Sequence, residues 1–177
     1  MKKFLVINIL LALAFLSSCR ENSTDVQADN LTFDEMKIKS GFTWITERMK
    51  AYEPVVSKID SIKMYYKSDV HGFYVFGKPS CSCEGVHNEI AHFFKILQDA
   101  SIPIDECDIW AMNSLNNRHP HEETITINNL PAFFLLDNGV PVYSIRDTII
   151  KRKQYAEDKE IKLESILLEA LIENTSN

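Results

Sequence analysis

The chain has 177 residues, 45% hydrophobic and 25% charged, enough apolar content for one ordinary domain with a substantial core. Its 25 acidic residues outnumber 19 basic ones, for a formal charge of −6, and no basic patch interleaved with aromatics occurs, which excludes nucleic acid as its partner. Four cysteines, two of them close together, fit a redox site better than a disulfide framework.

The N-terminus, MKKFLVINILLALAFLSSC, runs from two lysines through an apolar stretch, Phe4 to Leu16, to small residues before Cys19. Signal peptides have that order of parts, and the stretch is short for a membrane span. Leu16-Ser17-Ser18-Cys19 resembles the lipobox of bacterial lipoproteins. The resemblance implies a signal peptide over 1–18, a lipid on Cys19, and a domain held to a membrane of the bacterial envelope outside the cytoplasm. An ordinary secretory peptide or an N-terminal anchor is the alternative. Cleavage removes Lys2 and Lys3, leaving 17 basic against 25 acidic residues, a charge of −8.

Residues 19–31 are polar and lack periodicity, as a tether does. Thr32 and Glu35 have capping-box spacing, and Phe33, Met36, Trp44, Ile45 and Met49 predict helical turns broken near Gly41, so 32–54 reads as an N-terminal helical extension. Pro54 ends it, and Ser61 to Tyr66 is read as a strand. The apolar run Phe73 to Phe76 predicts a buried strand, closed by Gly77, Lys78 and Pro79. Cys81 and Cys83 follow directly. Val86, Ile90, Phe93, Phe94 and Leu97 then recur at helical spacing as far as Ala100. The thiols are therefore expected where a strand feeds a helix N-terminus, whose free N–H groups and dipole favour a thiolate.

Past Pro103, Cys107 to Met112 reads as a second buried strand and Asn113 to Glu123 as a polar loop. Ala132 to Leu136 and Val140 to Ile145 flank Asp137-Asn138-Gly139, a strong hairpin signal because Asn-Gly tolerates positive φ. A final helix is expected within Tyr155 to Glu173, with Leu163, Leu167, Ala170 and Leu171 on its face.

Over 55–174 this α/β order resembles thioredoxin-like proteins. The cysteine pair between strand and helix, Leu130-Pro131 opening an apolar strand, and the Asp137-Asn138-Gly139 turn carry the resemblance. It implies a central mixed β-sheet flanked by helices and a cis-proline facing the cysteine pair. Pro131 matches that proline, with Leu130 beside it as a substrate-docking position. The spacing departs from the family, which has two residues between its cysteines where this chain has only Ser82. Counted from the strand, Cys81 is the nucleophile; counted back from the helix, Cys83 takes the second position and Ser80 stands where the nucleophile belongs. The first register is preferred, since a thiol at the outer edge of a turn is the more accessible. The family's buried acid would fall near Val75.

Thiol–disulfide exchange needs an attacking thiolate and a second thiol to resolve the mixed disulfide, roles assigned here to Cys81 and Cys83. Residues two apart can bring their Cα atoms within the ~4.4–6.8 Å that a disulfide needs, in a small ring. The expected activity is a thiol–disulfide oxidoreductase or isomerase acting on exported proteins or a redox partner protein, without a cofactor. Glu84 competes with a thiolate for the helix dipole. Cys107 reads as an inert core thiol. His87 and His92 read as surface residues. His119-Pro120-His121 opens two alternatives: a copper or zinc carrier using Cys81, Cys83, His119 and His121, since thiolate and imidazole suit those metals, or a solvated loop. A non-catalytic envelope binding protein is the third reading.

Overall fold

A computed structural model describes residues 26–80, 88–155 and 160–174. Among the described residues the chain forms five strands and six α-helices, an α/β arrangement around one mixed sheet. The sheet order is β1-β3-β2-β4-β5, with β1 Asp29–Leu31, β2 His71–Gly77, β3 Asp108–Ala111, β4 Ala132–Asp137 and β5 Val140–Ser144. β2 and β3 run parallel, whereas β1 pairs antiparallel with β3, and β4 antiparallel with both β2 and β5.

The predicted central strand is β2, whose alternation sends Phe73 and Val75 to one face and Tyr74 and Phe76 to the other. All six helices deliver their buried side chains to the first face. There α1 (Phe33–Ile38) contributes Met36, and α2 (Ile45–Ala51) contributes Ile45 and Met49. The long helix α4 (Asn88–Asp99) contributes Ile90, Phe93, Phe94, Ile96 and Leu97. Phe93 stacks on Phe133 of β4, with ring centroids 4.5 Å apart, and meets Phe73 of β2 edge-on at 5.4 Å. Among the described residues no helix covers the second face. Its cluster of Phe76, Met112, Ala132, Phe134 and Ile125 lies under the connection 112–131 between β3 and β4.

Three expectations are corrected. Where Ser61 to Tyr66 was expected as a strand, the chain forms α3 (Val56–Tyr65), because Ile59 and Ile62 bury at three-residue spacing and Met64, at 70% exposure, points to solvent. The C-terminal region is two helices, α5 (Ile145–Tyr155) and α6 (Leu163–Asn174). The hairpin's second strand stops at Ser144, since Ile145 and Ile149, four apart, bury as the first turns of α5. The polar segment read as a tether ends in β1. That strand pairs with the outer edge of β3, and Thr32 behind it forms the expected capping box, accepting from the Glu35 N–H at 3.2 Å while Glu35 accepts from the Thr32 N–H at 2.8 Å.

The Asn138–Gly139 turn has φ of 50° and 78°, as a tight hairpin demands. Behind it, β5 forms one sheet edge, with Pro141 within it and a register shift opposite Leu135 and Leu136. No helix among the described residues is long and apolar enough to cross a membrane.

Candidate functional site

Cys81, Cys83, His87 and Glu84 lie outside the described residues, as does Cys19. The described chain surrounds the place where that segment leaves the sheet and where it returns. It leaves through Lys78, Pro79 and Ser80, directly after the C-terminal end of β2. It returns at Asn88, the start of α4.

Beside the leaving point lies Pro131. The ladder between β2 and β4 ends with Phe76 opposite Ala132, so Pro131 sits one step on, level with Gly77. The Leu130–Pro131 peptide bond is cis, as the resemblance implied. Pro131 itself is buried, and Leu130 is half-buried against the second-face cluster.

The N-terminal extension holds the leaving point from the other side. A Cβ on Gly77 would lie 2.7 Å from the Cδ1 of Ile90 and 3.1 Å from Met36 and Phe42, so only glycine lets α4 and the extension close on the strand end. Gly41 has φ +88°, and a Cβ there would lie 2.9 Å from the Ser80 nitrogen and 2.7 Å from the Pro79 Cβ. In this close approach the Gly41 carbonyl accepts from the Ser80 N–H at 3.0 Å. The Trp44 indole N–H donates to the same carbonyl at 2.8 Å and to the Ser80 carbonyl at 3.0 Å. Sequence reasoning counted Trp44 and Gly41 only as packing and a break. The tryptophan at the break was the available signal, because an indole with an N–H to satisfy is rarely filler.

At the returning point, Glu89 in the first turn of α4 pairs with Arg146 of α5, and Lys153 stands 3.7 Å from it. Arg146 is 6% exposed, and that burial lowers its pKa from the ordinary arginine value. Two cations on one carboxylate offset the negative charge of Glu89 at the start of α4. Sequence reasoning missed this pair, because the interval from residue 89 to 146 gives no local signal.

Val75, where the resemblance would put a buried acid, is fully buried among apolar side chains. Among the described residues the only carboxylate classed as buried is Glu164 of α6, which accepts from the Tyr52 hydroxyl at 2.6 Å and the Val55 N–H at 3.1 Å. His92, expected at the surface, is half-buried and stacks on Tyr52 with ring centroids 3.8 Å apart. Burial lowers its pKa, the Glu164 charge raises it, and Arg48 lowers it.

Cys107 ends up as an unreactive thiol. It is free and 9% exposed, and burial, with Glu106, Asp105 and Asp108 adding repulsion, pushes its pKa up to about 12. It precedes β3, level with Phe73 in the parallel ladder, roughly 13 Å back along the strand from Gly77 at ~3.3 Å per residue.

His119 and His121 lie against the second face. The His121 Nε2 is 2.7 Å from the Asp108 carboxylate, and its ring stacks on Tyr74 at 3.9 Å. The His119 Nδ1 accepts from the His121 backbone N–H at 3.3 Å, and burial lowers its pKa. One nitrogen of each ring thus has a partner within the connection or on β3. Among the described residues no three histidine, cysteine or acidic side chains gather as metal ligands. Compared with protein-family models, with curated proteins and with solved structures, the chain matches none of them.

Proposed function

We propose that the chain is a thioredoxin-like thiol–disulfide oxidoreductase, lipid-anchored through Cys19 to a membrane of the bacterial envelope, with Cys81 as nucleophile and Cys83 as resolving thiol. The observation that carries the reading is the place of Pro131, just before β4 and level with the strand end that leads to the two cysteines. The β3-β2-β4-β5 order, with β2 and β3 parallel and a helix after β2, agrees with it.

The Cys81 thiolate attacks one sulfur of a substrate disulfide, forming a mixed disulfide and releasing the other substrate sulfur as a thiolate that takes a proton. The Cys83 thiolate then attacks the Cys81 sulfur. The substrate leaves as a dithiol with two electrons and two protons gained, and the Cys81–Cys83 disulfide holds the oxidising equivalent. Run backward, the same steps donate a disulfide to an exported protein. Leu130, half-buried beside Pro131, is the position at which the substrate chain would dock.

The test is a redox titration of the full chain in glutathione buffers, with free thiols trapped by alkylation and located by peptide mass. Two thiols should be lost together in one reversible step that disappears in C81S and in C83S. Absence of an intramolecular disulfide, or one formed only with Cys107, would overturn the reading.

A further inference from the structure

The cover of the second face has no helix or strand of its own, and the N-terminal segment holds it in place. The connection 112–131 crosses that face as turns and irregular chain, over Phe76, Met112, Ile125, Ala132 and Phe134. Its ends are fixed by the sheet: the Met112 N–H donates to the Gly77 carbonyl at 2.8 Å, and Pro131 leads into β4. Between those ends, among the described residues, two backbone bonds tie the connection to the rest of the fold, and both go to the segment just before β1. The Ala28 N–H donates to the Arg118 carbonyl at 2.8 Å, and the Arg118 N–H to the Val26 carbonyl at 2.9 Å. Asn117 adds a side-chain bond, its Nδ2 donating to the Gln27 carbonyl at 3.3 Å.

The hold continues through Asp108 of β3. Its Oδ1 accepts from the Asn30 Nδ2 at 2.7 Å, and its Oδ2 lies 2.7 Å from the His121 Nε2, so a side chain of β1 orients the carboxylate that grips the connection. Ala28, 7% exposed, packs in the same cluster as the residues beneath the connection. Asn128 also reaches Asp147 at 3.1 Å, an exposed bond in which water competes. Leu31, next along β1, packs instead on the helix-covered core, which the sheet separates from this cluster. One end of the segment is therefore fixed, and the other carries the cover.

We infer that residues 26–30 form a strap that locks the connection 112–131 over the second face: when the strap peels from β3 the connection lifts with it, uncovering Phe76, Met112 and Phe134, while the helix-covered core stays folded. Sub-global opening of this kind falls to segments with few buried apolar contacts, and the strap buries little besides Ala28. Its outer end, Val26, is where the chain enters from Cys19, so tension on the proposed lipid anchor would reach the strap before the rest of the described fold. That consequence rests on the proposed reading, whereas the strap itself does not.

The test is native-state amide exchange on the full chain in mild detergent, read by NMR, which involves neither thiols nor lipid. In the wild type the Ala28, Arg118 and Ile125 amides should open together, with protection within about threefold of one another and at least about tenfold below that of Phe93 and Phe94 in α4. The Ile125 N–H donates to the His121 carbonyl inside the connection, at 3.0 Å, so a shared opening is what links it to Ala28. Ile125 exchanging more than threefold faster or slower than Ala28, or a smaller gap to α4, would overturn the inference. A28P deletes the N–H that reaches Arg118. It should speed Ile125 exchange at least about threefold, the lower range one hydrogen bond supplies, and leave Phe93 unchanged. An unchanged Ile125, or an equal acceleration of Phe93, would also overturn it, and if A28P does not fold the wild-type comparison decides alone.

Discussion

His71 shows how one side chain ties stability to pH. It opens β2 at 4% exposure, and its Nδ1 accepts the Lys67 backbone N–H at 3.1 Å, so folding keeps the ring neutral. Burial lowers its pKa, while Asp137 and Asp69 draw it up and Lys67 pushes it down, with burial the largest effect. His92 and His119 are lowered as well, burial again leading. A histidine whose folded pKa lies below its unfolded value binds fewer protons when folded. Its stabilisation is therefore complete above the unfolded value near 6.5 and is lost as pH falls through the folded one. Unfolding free energies from urea titrations should accordingly drop between about pH 7.5 and 5.5, by at most about 1.4 kcal/mol per pH unit for each such histidine. Replacing His71 with Asn, whose amide oxygen can accept the same N–H, should flatten that slope. A slope as steep in H71N as in the wild type would remove His71 from the account.

Among the elements, those with a local signature were legible in the sequence. A buried alternating run marked β2, a helical stripe marked α4, and Asn-Gly between apolar runs marked the hairpin. What escaped depended on distant partners. Helix α3 hid behind the alternation of Ile62, Met64 and Tyr66, which imitates a strand until the buried neighbours of Ile59 and Ile62 are known. The strand β1 escaped because three polar-flanked residues carry no period; it exists because β3 offers an unpaired edge. Around the candidate site the cis bond at Pro131 was readable from resemblance, and the cysteines fall outside the described residues, whereas Gly41, Trp44 and the Glu89–Arg146 pair were not legible, since each acts across 36 residues or more. The Gly41 contact gives a sharp expectation at this scale. G41A adds a side chain at positive φ against backbone, so it should cost about 2 kcal/mol or more in chemical unfolding. A neutral result would mean that the extension lifts away from Pro79 freely.

Taken whole, the described residues before and after Pro54 share one core. Met36, Phe42, Ile45 and Met49 of the extension are all buried in the same core as Val75, Phe93 and Phe133. At about 1.5–3 kcal/mol per buried side chain, four of them supply roughly 6–12 kcal/mol, as much as the net stability of a typical domain. A chain beginning at Val55 should therefore lack a cooperative thermal transition and show collapsed methyl dispersion by NMR, whereas a chain beginning at Val26 should unfold as one unit. The sheet also has two outer margins. On one, β1 is three residues long; on the other, Pro141 removes an N–H and a register shift interrupts the ladder of β5 with β4. Neither margin presents a long row of free backbone donors and acceptors for a neighbouring copy to join. Copies of the proposed lipid-anchored chain, gathered on a two-dimensional surface, would meet often, and margins of this kind would keep those encounters from growing into fibrils.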